Sequence, residues 1–244
     1  MEFFIDAVIN MDPERGISFS VPLEYSNSDD VSVSISDNSE DKSKLNAKFK
    51  VRAESLEQAK FVTENELLKV ANILSWEKAV PVKGFSINSS QYSSKEGNRN
   101  TVMFAKSITI DTYVSAFTTL KGDSVKKLAT RFESYDSTAE DIMMMWREAL
   151  SEDSESMKFL LYFRILEYIH GGKRIGADNY IRTKIPSVEI RKSGKGNNEN
   201  VSVYTYLRDN IHAKNSSFPY KEIRKYLSSL NSLTREAIKE KHNI

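Results

Sequence analysis

A change of hydrophobic period near Ser137 limits the fold of this chain more than any other feature. Before it, apolar and polar residues alternate in short runs, the period of a strand with one buried face; after it, apolar residues recur at the three- and four-residue spacing of a helix. One kind of layer cannot satisfy both patterns. The expected class is therefore α+β, with a mostly antiparallel sheet domain and a packed helix over residues 1–135, followed by an α-helical bundle over residues 136–244.

Four runs in the first part keep period two: Phe3, Ile5 and Ala7; Ile17, Phe19 and Val21; Val31, Val33 and Ile35; Ala47, Phe49 and Val51. Pro13 and Gly16 mark a turn between the first two, and Asp37 to Lys44 reads as an exposed loop. Ser55 and Gln58 give the capping-box signal of a helix running towards Leu74, whose stripe of Ala59, Val62, Val70 and Ile73 is broken by one charge, Glu66. Strands are expected again over Val80 to Ile87 and Val102 to Ile110, joined by a polar loop from Asn88 to Asn100. Residues 111–135 read as a connector, in which Tyr113 to Leu120 suits strand or helix and Val125 to Phe132 suits a helix. Trp76, Tyr92 and Phe117 fit the core of a sheet domain better than the lining of a ligand cleft.

In the second part, Ser137 and Glu140 form another capping-box signal, and Ile142, Met145, Trp146, Ala149 and Leu150 follow on helical spacing. The methionines from Met143 to Met145 read as gap-filling core. Met157 to His170 is apolar on nearly every side, which assigns it to the centre of a bundle and makes Arg164 and Glu167 costly to bury without partners. Gly171 and Gly172 end that helix; the following lysine lacks the residue order of a Walker phosphate loop. A short helix over 173–184, a loop from Pro186 to Asn200 and a last helix from Pro219 complete the reading, the last burying Ile223, Leu227, Leu230, Leu233 and Ile238.

Composition removes several classes of function. The chain has no cysteine, which excludes disulfides and cysteine-zinc sites. No apolar stretch approaches the ~18 residues of a membrane span, and the opening MEFFIDAVINMD has no basic lead, so the expected location is cytoplasmic. His170, His212 and His242 show no metal-ligand spacing, and no serine sits in a nucleophile elbow; no metal or other cofactor is expected. Charge is divided unevenly. Residues 173–244 carry 15 Lys and Arg against 7 Asp and Glu, leaving 20 against 27 for residues 1–172, so the C-terminal part has the basic balance of something that meets nucleic acid, or equally of a solvated helical surface.

Chemistry concentrates in Val201 to Asn215, VSVYTYLRDNIHAKN. If this stretch is helical, Arg208 and His212 are separated by about 40° of rotation and about 6 Å along the axis, and so share a face. Tyr204 extends that face, while Val203, Leu207 and Ile211 form a neighbouring apolar stripe. A guanidinium can hold two phosphate oxygens, and an imidazole can take and return a proton near neutral pH. The same pair also suits a solvated helix with no chemistry.

The segments FLLYFRILEYI, YLRDNIHAK and the long amphipathic closing helix, in that order, resemble the HEPN superfamily, in particular its Apea-like and MauJ-like branches. The resemblance covers about Ser137 to Lys241 and implies that the bundle is HEPN-like. It implies a metal-independent RNase that dimerises so that two copies of an arginine-polar-histidine motif face one site. Carried over by motif, Arg208, Asp209 and His212 are the catalytic residues, with Tyr204, Asn210 and Lys214 beside the substrate. Only Asp209, Asn210 and Ile211 separate Arg208 from His212, fewer than the family pattern has. Some members of the superfamily are inactive and serve as binding or antitoxin-like modules.

Two functions follow from this reading. The first is an RNA endonuclease, a prokaryotic defence or toxin component that works as a homodimer. His212 would move the proton of a ribose 2′-hydroxyl or of the leaving oxygen, and Arg208 would stabilise charge on the phosphorus oxygens. The second is a non-catalytic module that dimerises or binds nucleotide, RNA or protein, with the N-terminal domain recognising a protein partner.

Overall fold

The computed structural model describes residues 1–93, 99–103, 116–134, 139–193, 199–213 and 220–242. They form two compact units, residues 1–143 and 144–244, the division falling within helix α3 (Glu140–Ser151).

The first unit is built on a six-stranded antiparallel sheet in the order β3 (Leu23–Ser28), β4 (Val31–Asp37), β5 (Lys44–Arg52), β1 (Glu2–Met11), β6 (Val82–Ser93), β7 (Arg99–Met103). Register follows the alternation read from the sequence. Phe3 pairs with Val51, Ile5 with Phe49 and Ala7 with Ala47, so all six side chains point to one buried face. Helix α1 (Leu56–Lys78) packs against strands β1, β5 and β6, with Ala59, Leu67, Val70 and Leu74 buried. Its start is the expected one: the Ser55 hydroxyl accepts from the Gln58 amide at 3.1 Å.

Glu66 finds partners instead of solvent. It accepts from Asn27 Nδ2 at 2.5 Å and the Tyr25 hydroxyl at 3.3 Å, with Lys69 Nζ 3.8 Å away. Lys69 in turn donates to Asn27 Oδ1 at 2.9 Å. Burial and the Glu66 charge hold the Tyr25 hydroxyl well above its ordinary pKa, and its ring stacks on Phe132. This polar cluster fastens α1 to the edge strand β3.

Several expectations need correction. Ile17 and Phe19 are buried in β2 (Arg15–Phe19), but Val21 is 46% exposed, and the chain enters β3 at Leu23, a strand that the alternating runs do not announce. Gly16 is a strand residue and not part of the turn. Strand β6 runs on to Ser93 and β7 starts at Arg99, so the loop expected from Asn88 to Asn100 is largely strand; residues 104–110 of the second expected strand lie outside the described residues. The supposed connector is integral to the unit. Its strand β8 (Ala116–Leu120) pairs in parallel with β2, and its helix α2 (Gly122–Glu133) packs on β3 with Val125, Leu128 and Phe132 buried. Trp76 is buried, while the side chains of Tyr92 and Phe117 lie outside those described, as does the cap expected at Ser137.

In the second unit, α4 (Glu155–Ile169) packs most extensively against α7 (Ile223–His242) and also touches α5 (Arg174–Lys184) and α6 (Val203–His212). Helix α4 is not surrounded on all sides. Phe159, Tyr162, Phe163, Ile165 and Leu166 are buried, but Met157, Arg164 and Tyr168 are exposed, Tyr168 at 54%. Met143 is buried, whereas Met144 is exposed. The expected loop from Pro186 to Asn200 contains a small antiparallel pair, β9 (Ile190–Lys192) with β10 (Asn200–Ser202); residues 194–198 lie outside the described set. A 3-10 turn, Tyr220–Glu222, precedes α7, which buries Ile223, Leu230, Leu233 and Ile238 and leaves Leu227 half-buried.

The α4–α5 turn makes one pH effect expected. His170 caps α4, stacks on Tyr180 at 4.2 Å, and has its Nε2 buried without a hydrogen-bond partner among the described residues. Burial lowers its pKa below the ordinary 6.5, with nearby Lys241 acting the same way and Glu240 opposing. The neutral ring therefore contributes stability that is present above the ordinary value and is lost as pH falls through the lowered one. Thermal midpoints measured from about pH 7 to about pH 5 should fall more steeply in the native protein than in a His170→Phe variant; parallel curves would contradict this assignment.

Candidate functional site

Helix α6 opens at Ser202, whose hydroxyl accepts from the Thr205 amide at 3.4 Å. Asp178 of α5 secures the same turn from below. Its Oδ1 accepts from the Ser202 amide at 2.8 Å, the Ser202 hydroxyl at 2.7 Å and the Thr205 hydroxyl at 2.6 Å. Arg182 Nε stands 2.7 Å from its other oxygen as an ion pair, without hydrogen-bond alignment. Val203, Leu207 and Ile211 are buried, and so is Tyr204, which donates to Ser229 Oγ at 2.8 Å and meets Tyr226 edge-on.

Arg208 and Asp209 enter one ionic network. Arg208 donates through Nη2 to Glu167 of α4 at 2.8 Å and through Nη1 to Asp209 Oδ1 at 3.0 Å, over the Phe163 ring. Its side chain is 20% exposed, and Nε is buried with no hydrogen-bond partner among the described residues. Asp209, 4% exposed, uses its second oxygen for Arg174 Nη1 at 2.8 Å and Ser193 Oγ at 3.4 Å. Arg174 also holds Glu199 at 2.5 Å. Burial alone would pull the Arg174 pKa down; the two carboxylates reverse this and hold it above its ordinary value. Two guanidiniums thus face three carboxylates, and no positive surplus is left at this point to hold a phosphate.

The other expected residues stand apart. Asn210 donates to the Tyr206 carbonyl of its own helix at 2.8 Å. His212 lies in the last turn of α6, exposed, with no hydrogen bond or ion pair among the described residues. Lys214 lies outside the described residues. Arg208 and Asp209 are therefore joined, Tyr204 and Asn210 are used locally, and His212 faces outward alone.

The sequence reading missed Arg174, Ser193, Glu199 and Asp178. The segment RIGADNYIRTK gives no signal for Asp178, since Asn179 and Tyr180 stand beside it and nothing in the spacing separates the buried carboxylate from its exposed polar neighbour. The partner of Glu167 was a stated requirement, and Arg208 fills it.

Ion pairing also decides where the basic surplus sits. All seven acids between residues 173 and 244 are paired: Asp178 with Arg182, Glu189 and Glu222 with Arg191, Glu199 and Asp209 with Arg174, Glu236 and Glu240 with Lys184. Lys173, Lys192, Lys221, Lys225, Lys239 and Lys241 are exposed and in no ion pair among the described residues. Among the described residues, six positive charges of this region therefore sit on accessible ammonium groups, and exposed Arg224 adds a guanidinium paired with Glu155.

The described residues contain no group of three or more potential metal ligands and no helix long and apolar enough to cross a membrane. No protein-family model matches the chain, and neither a curated protein nor a solved structure matches it.

Proposed function

We propose that the helical unit is a HEPN-like RNA-binding module that holds polynucleotide on its exposed lysines and uses the Arg208 network to support its own fold. The observation that carries this is the pairing of all seven acids in the basic region, which leaves six lysines to meet phosphate. Arg208 serves as a clamp between α4 and α6 because both of its terminal nitrogens already contact carboxylates. A homodimer through the bundle is part of the same proposal, with Met157 and Tyr168 of α4 as exposed apolar residues available to a second copy.

Lys221 and Lys225 provide the test, since both are exposed at the start of the closing helix. Fluorescence anisotropy with a labelled single-stranded RNA should show binding at low salt. Substituting both lysines by alanine should weaken it by roughly tenfold and lower the slope of log Kd against log salt by about 1.4, at ~0.7 for each phosphate that is no longer neutralised. No binding at low salt, or a slope unchanged by the double substitution, defeats the reading.

The nuclease reading has one observation in its favour: His212 is exposed one helical turn from Arg208. It expects RNA cleavage in chelator, leaving a cyclic phosphate, and its loss in His212→Ala. On the binding reading, RNA stays intact with either protein.

A further inference from the structure

In the first unit, the sheet face opposite the α1-packed core carries opposed charges across a cavity. Pairing register sets two rows on this outer face. One runs Glu24, Ser34, Lys48, Asp6 across β3, β4, β5 and β1; the next runs Ser26, Ser32, Lys50, Phe4. Because β4 contributes only serines here, it forms the floor of a trough of about 490 Å³ between taller walls. Lys48, Lys50 and Phe4 stand on one side, with Asp6 opposite Lys48 on the next strand; Glu24, and Glu133 from the end of α2, stand on the other.

Some of these charges are already engaged. Lys50 lies 3.1 Å from Glu2, and Asp6 accepts from Ser89 at 2.8 Å. Lys48, Glu24 and Glu133 are exposed and have no hydrogen bond or ion pair among the described residues. Glu24 and Lys48 are kept from pairing by the strand between them, since two strand spacings separate their backbones by about 10 Å.

The geometry points to a binding site for a short zwitterionic peptide, its terminal carboxylate on Lys48 and its ammonium on Glu24 and Glu133. An extended chain advances about 3.3 Å per residue, so the termini of a tripeptide span the gap of ~10 Å. The Ser32 and Ser34 hydroxyls can donate to or accept from its peptide groups, and Phe4, 41% exposed, offers an apolar wall for a side chain. A polyanion does not suit this trough, because Asp6, Glu24 and Glu133 outnumber Lys48 and Lys50. This site is separate from the lysines assigned to RNA above, so either proposal can fail alone.

Titration of the full chain with Ala-Leu-Ala, followed by amide NMR shifts, tests the proposal. The free peptide should perturb β3, β4 and β5, and acetylating its amine or amidating its carboxyl should each weaken binding by about tenfold. Lys48→Met should weaken the free peptide yet leave the amidated form unchanged; Glu24→Gln should do the same with the acetylated form. Both side chains are exposed, so neither variant should disturb folding. Equal affinity for free and blocked peptides, no binding, shifts confined elsewhere, or displacement of the peptide by RNA would each overturn it.

Discussion

Gly176→Ala is expected to lower the unfolding free energy by about 3 kcal/mol, although alanine is the better helix former by ~1 kcal/mol. A Cβ at residue 176 would stand well inside hard contact with the His170 carbonyl oxygen, and 3.1 and 3.2 Å from its carbonyl carbon and Cβ. The obstacle is main chain, fixed at both ends. His170 N donates to Leu166 O at 3.0 Å, Gly172 N donates to Glu167 O at 2.7 Å, and Gly171 and Gly172 hold φ of 90° and 72°. Helix α5 must therefore withdraw, carrying Arg174 away from Asp209 and Asp178 away from Ser202. Steric exclusion outweighs propensity. Denaturant titration followed by circular dichroism measures the balance, and a variant as stable as the native chain would reverse it.

Asp209→Ala should cost roughly 3–5 kcal/mol, because it leaves two guanidiniums short of a buried acceptor. Arg174 would keep Glu199 and Arg208 would keep Glu167, but each would give up a hydrogen bond of 3.0 Å or shorter. Asp209→Asn retains the volume and one acceptor and should cost about half as much. Arg174→Met combined with Asp209→Ala should cost less than the sum of the single changes, since each removes part of the other's penalty. If denaturation shows Asp209→Ala losing under about 1 kcal/mol, the network is not a clamp.

Much of the fold was legible because alternation and helical spacing are local signals. Phe3 to Ala7 and Ala47 to Val51 announced paired strands, and Ser55 with Gln58 announced α1. Strand β3 was missed because only Leu23 and Tyr25 are buried along it before Ser26, Asn27 and Ser28. Strands β9 and β10 span three residues each and show no period. The site was less legible. The segment from Val201 to Asn215 displayed its own residues, but Glu167, Arg174 and Ser193 reach Asp209 and Arg208 from other elements. Side chains brought together by packing leave no spacing to read. The peptide trough was hidden for the same reason: Glu24 and Lys48 become opposed only once β3, β4 and β5 align.

The parallel pairing of β2 with β8 joins Arg15–Phe19 to Ala116–Leu120, about a hundred residues later. During synthesis the earlier strand therefore lacks its pairing partner until the ribosome has delivered most of the first unit, although its Arg15 and Phe19 amides meet Asp12 and Asp37 without it. Closing so long a loop late favours slow maturation over rapid collapse. A nascent chain stalled before residue 120 would leave β2 as an unpaired strand edge, the kind of surface that invites pairing with another chain.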